Sequence, residues 1–491
     1  MRVLALDVGT TTAKAAVVAD GSIVEVAEVS VDLAHPAPGW AEQDPAQWWS
    51  AVVSAVRSLR TANDLDALVA TGQMQDLVPV RGIAGEGGGP VRPAILYSDQ
   101  RAVEEHEQLA ARLGEDWARA ALAQPDATNV AAKWMWLCSN EPDSAQATDV
   151  VLLGGAGYIV WRATGAATCD PTVAATTGLA DVRSNSWWAP VVEASAIPLP
   201  TIVGATSIAG HLSASAAAEL GLRVGLPVVH ASGDAVATSI GVLGDSTEMP
   251  YAYLGTSGWV GVFATAPDPR DGVIVLPGPS TDRWLSVMPV ATAGGAADWA
   301  RDALFGGIDI TSFDRLAGEG FAAAEGVGFL SQLDGTRFPV ADPHAAGVLI
   351  GARRSTGRDA VAAAVYEGVA HVLAAIADVV VRPTTGAPAD LAVCGGGARS
   401  DVWCQVIADV TGRTVRRVND DHASLRGAAS CAGVALGGIP VGAATTLATF
   451  EPRRERRVSH EAMGRVLDGL SRSLGPEFAA LAHIRAGQPK R

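Results

Sequence analysis

Two short turns in this sequence carry residue types that can bind phosphate. The first consists of Gly9, Thr10, Thr11 and Thr12, with Lys14 two residues later. Glycine permits backbone angles that bring N–H groups close to an anion, the hydroxyls can donate hydrogen bonds, and the lysine adds positive charge. Such a turn can hold phosphate oxygens as other glycine-rich loops do. It is equally compatible with an ordinary β-hairpin that has a polar turn.

The same arrangement recurs about half a chain later. The second turn follows the apolar residues 250–254 and consists of Gly255, Thr256, Ser257 and Gly258, with another apolar stretch behind it. A repeated unit of this kind indicates internal duplication. Two such turns therefore predict two similar lobes that bind one nucleotide between them.

Two aspartates are placed where they could take part in phosphoryl transfer. Asp7 ends the predicted first strand, where its carboxylate could face a metal ion and the water shell of that ion. Asp234 follows the apolar residues 228–231 and Ser232-Gly233, at the start of a helix of small residues. Phosphorylation of an alcohol needs a group that accepts the hydroxyl proton, and a carboxylate at a strand-to-helix junction has the required reach. The alternative is that Asp234 only caps the helix.

Residues that suit a polyhydroxyl ligand follow two further predicted strands. They are Gln73, Met74 and Gln75 in one stretch, and Asp99 and Arg101 in the other. Ligands of α/β folds bind beyond the carboxyl ends of strands, and hydroxyl groups are distinguished by paired hydrogen bonds. Either stretch taken alone could instead be a surface turn.

A glycine triplet near the end of the chain suits a nucleotide. The predicted strand at 391–394 is followed by Gly395, Gly396, Gly397 and Ala398. Glycines let the backbone approach a flat ligand, and the N-terminus of the following helix favours phosphate or ribose oxygens. Three glycines after a strand are a weak nucleotide signal by themselves.

Strands and helices of an α/β protein must position these residues. A chain of 491 residues is long enough for two or more domains. Asp44 before Pro45 predicts the start of a helix, and residues 358–381 predict a long apolar packing helix. We place the domain boundary after the helix that begins at Asp234, which gives domains of residues 1–244 and 245–491.

Composition narrows the classes of partner. The formal net charge of −16 disfavours nucleic acid and anionic membranes. The five cysteines form no Cys-x-x-Cys pair, which favours reduced thiols in a cytoplasmic protein. The N-terminus enters a strand directly, which is not typical of a signal peptide, and we expect no apolar run of membrane-spanning length.

The order of these motifs resembles the FGGY carbohydrate kinases of the actin-like ATPase superfamily. The two Gly-Thr turns, Gly233-Asp234 and the glycine triplet carry the resemblance, and matching segments run from about residue 3 to about residue 440. It implies two actin-like (ribonuclease H-like) domains with a catalytic cleft between them. It also implies ATP and Mg²⁺ as cofactors, a sugar or polyol as substrate, no nucleic-acid or membrane partner, and a possible homodimer.

The resemblance also implies roles for the residues above. Asp234 becomes the base that accepts the hydroxyl proton, and it shares Mg²⁺ with Asp7 through water. The first turn closes over the transferring phosphate, while the second turn and the glycine triplet hold ATP. The residues implied to contact the sugar are Gln73, Met74, Gln75, Asp99, Arg101 and Asp234.

The sugar-contacting strings are most similar to those of xylulokinases, which implies D-xylulose as substrate and D-xylulose 5-phosphate as product. Four positions differ: Gln75 stands where those proteins have His, Tyr97-Ser98 where they have Trp-Asn, and Ala235 where relatives have Asn or Gln. Ribulose, a pentitol, a tetritol, glycerol or gluconate are therefore alternative substrates. Two other classes also stay open, namely a non-catalytic sugar- and nucleotide-binding protein and an actin-like ATPase that acts on a protein partner.

Overall fold

Strands and helices alternate along most of the chain. The computed structural model describes residues 1–62, 64–247, 249–270, 272–323, 326–338, 341–381, 390–419 and 422–486. Elements up to the predicted boundary are β1 (Arg2–Val8), β2 (Thr12–Ala19), β3 (Ser22–Ser30), β4 (Glu42–Gln43), α1 (Pro45–Ser58), β5 (Ala67–Gly72), β6 (Leu77–Arg81), β7 (Gly89–Pro90), β8 (Ala94–Ile95), α2 (Val103–Leu113), α3 (Glu115–Ala121), α4 (Val130–Asn140), α5 (Pro142–Gln146), β9 (Val150–Leu153), α6 (Gly154–Thr164), β10 (Thr168–Cys169), α7 (Pro171–Thr176), β11 (Ala180–Asp181), β12 (Ser186–Trp187), α8 (Ala189–Ser195), β13 (Thr201–Ile202), β14 (Ile208–His211), α9 (Ala214–Leu220), β15 (Pro227–His230) and α10 (Asp234–Leu243).

Elements beyond it are β16 (Tyr251–Leu254), β17 (Gly258–Ala264), β18 (Ile274–Pro277), β19 (Trp284–Val290), α11 (Gly294–Ala303), α12 (Ile310–Ala323), β20 (Gly328–Leu330), β21 (Val348–Ile350), α13 (Arg358–Val380), β22 (Leu391–Cys394), α14 (Asp401–Thr411), β23 (Val415–Val418), α15 (Ala423–Ala435), β24 (Thr446–Phe450), α16 (Arg457–Ser473) and α17 (Gly475–Ala486), with short 3₁₀ helices at Gly396–Arg399 and Arg454–Arg456.

Both halves contain the same sheet arrangement. In the N-terminal half the strand order is β14-β15-β5-β1-β2-β3, and in the C-terminal half it is β18-β19-β17-β16-β22-β23-β24. Each sheet starts from an antiparallel hairpin whose first strand then pairs with a parallel strand. The duplication that the two turns predict is therefore present in the sheets.

The first strand is buried on both faces because helices cover both sides of its sheet. Val3 and Ala5 belong to a core shared with α10 and α15, whereas Leu4 and Leu6 belong to a core shared with α1 and α6. A strand covered on both sides has an apolar run in place of strict alternation. Polar residues therefore occur mainly at its carboxyl end, where Asp7 lies opposite Lys14 of β2.

The helix α1 begins as its sequence predicts. Asp44 is the N-cap, and its side chain accepts a 2.9 Å hydrogen bond from Ala46 N. Pro45 occupies the first helical position, where its missing N–H leaves no partner unpaired. Trp48 and Trp49 of this helix are buried in the core, so they anchor the helix to the sheet.

The two halves meet along α10 and α15, and glycines allow these helices to touch. A Cβ atom on Gly241 would lie 1.9 Å from Ala423 O, and one on Gly427 would lie 1.8 Å from Ala237 O. Real Cβ atoms do not approach a carbonyl oxygen that closely, so each helix presents bare backbone to the other. This contact fixes the distance between the carboxyl ends of the two sheets.

The helix α13 corrects one sequence-based expectation. It contains 23 residues, its most apolar 18-residue window has a mean hydropathy of 1.7, and it is the helix among the described residues that is long and apolar enough to cross a membrane. The expectation that no run reaches that length was wrong for this segment. About two thirds of its most apolar window (67 %) is buried inside the protein, where it packs against α12, α14 and β20.

Candidate active site

The carboxyl ends of three strands bring Asp7, Gln73 and Asp234 to one edge of the N-terminal sheet. β5 lies between β1 and β15 and is parallel to both. Asp7 is near the end of β1, Gln73 directly follows β5, and Asp234 begins the helix after β15. The loop after β15 is tied to β5 because Thr71 Oγ1 donates a 2.7 Å hydrogen bond to Ser232 O. These predicted site residues therefore share one continuous edge.

Asp234 is the first residue of α10 and is held by its own helix. Its Oδ1 accepts a 2.7 Å hydrogen bond from Ala235 N, but the N-cap of this helix is Gly233, which provides no side-chain capping bond. The preceding Gly233 is required by packing, because a Cβ atom there would lie 2.3 Å from Met74 Sδ. Met74, predicted to line the sugar site, thus packs directly on the loop that carries Asp234.

The environment of Asp234 makes its carboxyl group a weak acid. Burial raises its pKa to about 7, and the negative charges of Asp7 and Asp170 add to the effect. A carboxyl group with a pKa near neutrality can take up a proton during turnover and release it again, as general-base catalysis requires. The alternative that Asp234 only caps the helix is wrong, because Gly233 is the N-cap, and the catalytic role stays a prediction.

Asp7 receives a hydrogen bond from the other half of the protein. Ser424 Oγ, at the start of α15, donates to Asp7 Oδ2 at 2.6 Å. Burial raises the pKa of Asp7, while the Ser424 hydrogen bond and the charge of Lys14 oppose that rise. The sequence shows Asp7 as a candidate, but it contains no signal for Ser424, which lies 417 positions away.

The first turn is closed by its own backbone. Gly9 N donates to Thr12 O at 3.0 Å, and Thr11 O accepts a hydrogen bond from Val31 N at 3.0 Å. Lys14 Nζ lies 3.6 Å from Glu28 Oε1. The turn is therefore formed before any phosphate binds, with its lysine beside it on β2.

Amide side chains fasten this turn to the predicted sugar site. Thr10 Oγ1 donates to Gln73 Oε1 at 3.0 Å, and Gln73 Nε2 donates to Gln43 Oε1 at 3.0 Å. Gln43 Nε2 in turn donates to Thr10 O at 2.7 Å. Gln43 is a site residue that sequence reasoning missed, although it lies in the Gly-Trp-Ala-Glu-Gln-Asp-Pro string at 39–45.

Gln75 and Tyr97, two of the positions that differ from xylulokinases, make contacts in different parts of the structure. Gln75 has a left-handed backbone, with a φ of 66°, and its Nε2 donates to Thr128 O at 3.0 Å and to Thr128 Oγ1 at 2.9 Å. Tyr97 is 41 % exposed, and its hydroxyl lies 3.4 Å from Thr10 Oγ1. Tyr97 therefore reaches toward the first turn, whereas the amide of Gln75 is engaged elsewhere.

Asp99 and Arg101 form a buried ion pair. Both side chains are fully buried, and Arg101 Nη2 donates to Asp99 Oδ2 at 2.7 Å. The guanidinium also lies 2.7 Å from Glu42 Oε1 and stacks over the rings of Trp40 and Trp136. In this arrangement the pair supports the wall of the site, and direct contact between these two residues and a sugar stays a prediction.

A buried lysine joins the two strings that carry these residues. Lys133 Nζ donates to Leu96 O at 2.7 Å and to Gln75 O at 3.2 Å. Burial lowers the pKa of Lys133, and burial raises the pKa of Asp76, which faces it. Sequence reasoning did not identify Lys133 as a site residue. The available signal was a lone lysine directly before the apolar, aromatic residues 134–136.

Another buried aspartate, Asp170, lies behind the loop that carries Asp234. Asp170 is the N-cap of α7 and accepts hydrogen bonds from Thr172 N and Val173 N. Its other oxygen is 3.6 Å from His230 Nε2, and His230 Nδ1 contacts Thr168 Oγ1 at 3.1 Å. Burial lowers the pKa of His230 to about 4, which keeps this histidine neutral near pH 7.

The second turn lies against the N-terminus of α11. Gly294 N donates to Gly255 O at 2.7 Å, and Ala293 N and Gly295 N donate to Thr256 O at 2.9 Å each. A Cβ atom on Gly294 would lie 2.6 Å from Gly255 O, so only glycine fits there. The Gly294-Gly295 pair after β19 was the sequence signal for this missed part of the site.

The glycine triplet lies beside the second turn because β22 is parallel to β16. Gly395 has a φ of 91°, and a Cβ atom there would lie 2.7 Å from the backbone of Leu254. A Cβ on Gly397 would lie 3.0 Å from the ring of Trp403, whereas nothing lies within 4 Å of the same position on Gly396. The triplet thus has packed glycines on either side of one open position, followed by the buried Ala398.

The sequence matches the two domain descriptions of one enzyme family. The N-terminal domain of the FGGY family of carbohydrate kinases matches residues 2–241, and the C-terminal domain of that family matches residues 251–436. The chain belongs to this family. It is therefore a carbohydrate kinase, and the family uses ATP as phosphate donor for a sugar substrate. The predicted family and the predicted two-domain, actin-like α/β fold are both confirmed.

Several relatives of this kinase have names that state their substrates. The xylulose kinase of Escherichia coli (strain K12) is 31 % identical over 445 residues, which cover 88 % of this chain and 90 % of that protein. A crystal structure of a xylulose kinase from Brucella ovis superposes with a TM-score of 0.88 at 27 % identity and covers 98 % of this chain and 100 % of its own. The glycerol kinase of Shewanella oneidensis is 28 % identical over 468 residues, 89 % of this chain and 90 % of that protein.

Proposed function

We propose that this kinase transfers a phosphoryl group from ATP to D-xylulose and forms D-xylulose 5-phosphate, with Asp234 as general base. The observation that carries the proposal is the placement of Asp234, whose pKa is raised to about 7, at the same sheet edge as the phosphate turn. The substrate assignment is supported by the named xylulose kinases among its relatives.

The residues at this edge of the N-terminal sheet have different roles in the proposed reaction. Asp234 accepts the proton of the reacting hydroxyl, and a pKa near the working pH suits both uptake and release of that proton. Gln73 is fixed by Thr10 and Gln43, so it can orient sugar hydroxyls with little loss of side-chain entropy. Tyr97 offers a hydroxyl and a half-exposed ring to the same space.

The phosphate-binding assignments follow from the two turns. Gly9, Thr10, Thr11, Thr12 and Lys14 face the transferring phosphate, while the ATP-binding set consists of Gly255, Thr256, Ser257, Gly395, Gly396, Gly397 and Ala398. Contact along α10 and α15 sets the distance between the two sets. Closure of the domains around both substrates excludes water and limits wasteful hydrolysis of ATP.

We propose Mg²⁺ as the second cofactor, held through water by Asp7 and Asp234. The donor set fits, because Mg²⁺ prefers carboxylate and water oxygens. Repulsion between these two carboxylates contributes to the raised pKa of Asp234, and a divalent cation between them would relieve it. When bound, the ion supplies charge neutralisation for the phosphate oxygens.

Cytoplasmic location and a homodimer stay predictions.

A different small polyol is the second candidate substrate. Gln75 hydrogen bonds to Thr128, and Tyr97-Ser98 replaces the Trp-Asn of xylulokinases, so the sugar-contacting surface differs from theirs. The presence of a glycerol kinase among the relatives supports this second candidate. Glycerol, a tetritol, a pentitol, ribulose and gluconate are the candidates to compare.

The test is a coupled assay of ADP release with each of these compounds and D-xylulose, with and without Mg²⁺. We expect D-xylulose to give the highest kcat/KM and Mg²⁺ to be required. A higher kcat/KM with another alcohol reassigns the substrate. Brisk ADP release without any sugar would indicate an ATPase that acts on another partner, and no release with any compound would indicate a non-catalytic binding protein.

A further inference from the structure

Three side chains that could bind a metal ion converge in the C-terminal half, in a region that contributes no residue to the site described above. Glu367 and His371 lie one turn apart on α13, so they share a face of that helix. His460 comes from α16, which crosses this face. Their candidate ligand atoms all lie within 4.8 Å of one another.

The distances within this group are close to those of a metal site. His460 Nδ1 lies 2.6 Å from Glu367 Oε1, and His371 Nε2 lies 3.5 Å from the same oxygen. Ligand atoms of a tetrahedral Zn²⁺ site are about 3.3 Å apart, given metal–ligand bonds of about 2.0–2.2 Å. Side-chain rotations alone could therefore bring the three atoms to coordination distance.

The group is enclosed, and the surrounding backbone makes room for it. The side chains of Glu367, His371 and His460 are only 13 %, 14 % and 8 % exposed. Gly464, one turn after His460, lies against the His371 ring, and a Cβ atom there would be 3.0 Å from His371 Cε1 and Nδ1. A side chain at position 464 of α16 would therefore crowd the His371 ring, and the glycine makes room for the imidazole.

A hydrogen-bonded pair explains His460 but leaves His371 Nε2 unsatisfied. The 3.5 Å separation is too long for a good hydrogen bond, and this buried nitrogen makes no hydrogen bond within the described residues. Buried polar atoms without a partner are rare and call for an explanation. A cation bound by both imidazoles and the carboxylate would satisfy this nitrogen.

Space for a fourth ligand lies beside two members of the group, Glu367 and His460. A cavity of about 110 Å³ is lined by Glu367 and His460 together with Arg456, Ser459 and Met463. That volume exceeds the roughly 10–15 Å³ that one water molecule needs. Three protein ligands and an open position for water are a common arrangement for zinc.

We propose that Glu367, His371 and His460 bind one divalent transition-metal ion of the zinc class, with water from the cavity as fourth ligand. Two imidazoles and one carboxylate favour Zn²⁺, Co²⁺ or Ni²⁺ over Mg²⁺, which prefers oxygen ligands alone. The ion joins α16 to α13, and it thereby stabilises the C-terminal domain without a part in phosphoryl transfer.

Metal binding is measured on the full-length kinase after treatment with a chelator. Titration with Zn²⁺ in a calorimeter should show one ion per chain, and titration with Co²⁺ should produce the visible absorption of a four-coordinate site. The ultraviolet band of a cobalt–thiolate bond should be absent, because no cysteine is a ligand. The Tm should rise with added Zn²⁺, because the ion binds the folded state.

The double variant His371→Gln/His460→Gln should lose at least about 100-fold in Zn²⁺ affinity and should show no Zn²⁺-dependent rise in Tm. The matched control is His344→Gln, which removes an exposed histidine elsewhere in the chain and should bind Zn²⁺ like the wild type. The proposal is overturned if the wild type binds no stoichiometric Zn²⁺ at micromolar concentration. It is also overturned if the folded double variant binds Zn²⁺ unchanged.

Discussion

Ser424 Oγ donates a 2.6 Å hydrogen bond to Asp7 Oδ2, and this bond joins the start of α15 to the end of β1. It runs from one domain to the other at the residue that we assign to the metal. A hydrogen bond to a charged carboxylate contributes about 1.5–3 kcal/mol. The same carboxylate therefore takes part both in domain contact and in the proposed chemistry.

Ser424→Ala should weaken domain contact with little effect on chemistry. We expect the KM for ATP to rise about tenfold or more while kcat changes less than about threefold, because the lost hydrogen bond of about 1.5–3 kcal/mol stabilises the contact between the two domains. Steady-state kinetics at fixed sugar concentration measure both constants. The control Ser473→Ala removes an exposed hydroxyl that bonds only to its own helix. A large fall in kcat with unchanged KM would instead place Ser424 in the chemical step.

Asp234→Asn should retain ATP binding and lose turnover by about 10²–10⁴-fold, the range for a positioned general base. The amide keeps the size of the side chain but accepts no proton. Calorimetric ATP binding and the coupled assay measure the two properties separately. Asp116→Asn, at an exposed surface position, is the control. Turnover near the wild-type level in the Asp234 variant would remove this residue from the mechanism.

The pH dependence of kcat/KM should report Asp234. Only the deprotonated carboxylate can accept the hydroxyl proton, so kcat/KM should fall as the pH drops below about 7, the raised pKa of this residue. Asp170→Asn removes one of the negative charges that raise this pKa, and an Asn can still cap α7. The acidic limb should therefore shift to lower pH in that variant. An unchanged limb would mean that another group controls it.

Arg101→Met should destabilise the fold by about 3–5 kcal/mol, since it leaves a fully buried Asp99 without its partner. Chemical denaturation measures the free energy of unfolding. Arg119→Met, which removes an exposed ion pair, should change it by less than about 1 kcal/mol. If Arg101 also contacts the sugar, the KM for sugar should rise in folded Arg101→Lys, whereas a purely structural role predicts an unchanged KM.

Local patterns were enough to predict the elements that carry the site. The apolar runs on either side of the turns at Gly9 and Gly255 predicted both hairpins, and Asp44-Pro45 predicted the start of α1. These features depend on residues close together in the chain. Duplication could also be predicted, because a repeated turn needs a repeated pair of strands.

Contacts between distant segments could not be predicted in this way. Ser424 reaches Asp7 only because α15 packs on β1, and Gly294 meets Gly255 only because α11 starts beside the second turn. Lys133 has its backbone acceptors, Leu96 O and Gln75 O, on two other segments of the chain, so its contacts are visible only in the fold. The helix α13 was predicted at residues 358–381, but its apolar stretch was not recognised as long enough to cross a membrane.

Because lysine is scarce in this sequence, Lys14 beside the first turn can be modified selectively. The sequence contains three lysines, of which Lys490 lies outside the described residues. The side chain of Lys133 is fully buried, whereas that of Lys14 is 33 % exposed. An acylating reagent of the succinimidyl ester type should therefore modify Lys14 and spare Lys133 in the native protein. Mass spectrometry of the peptides would show whether saturating ATP protects Lys14 from modification.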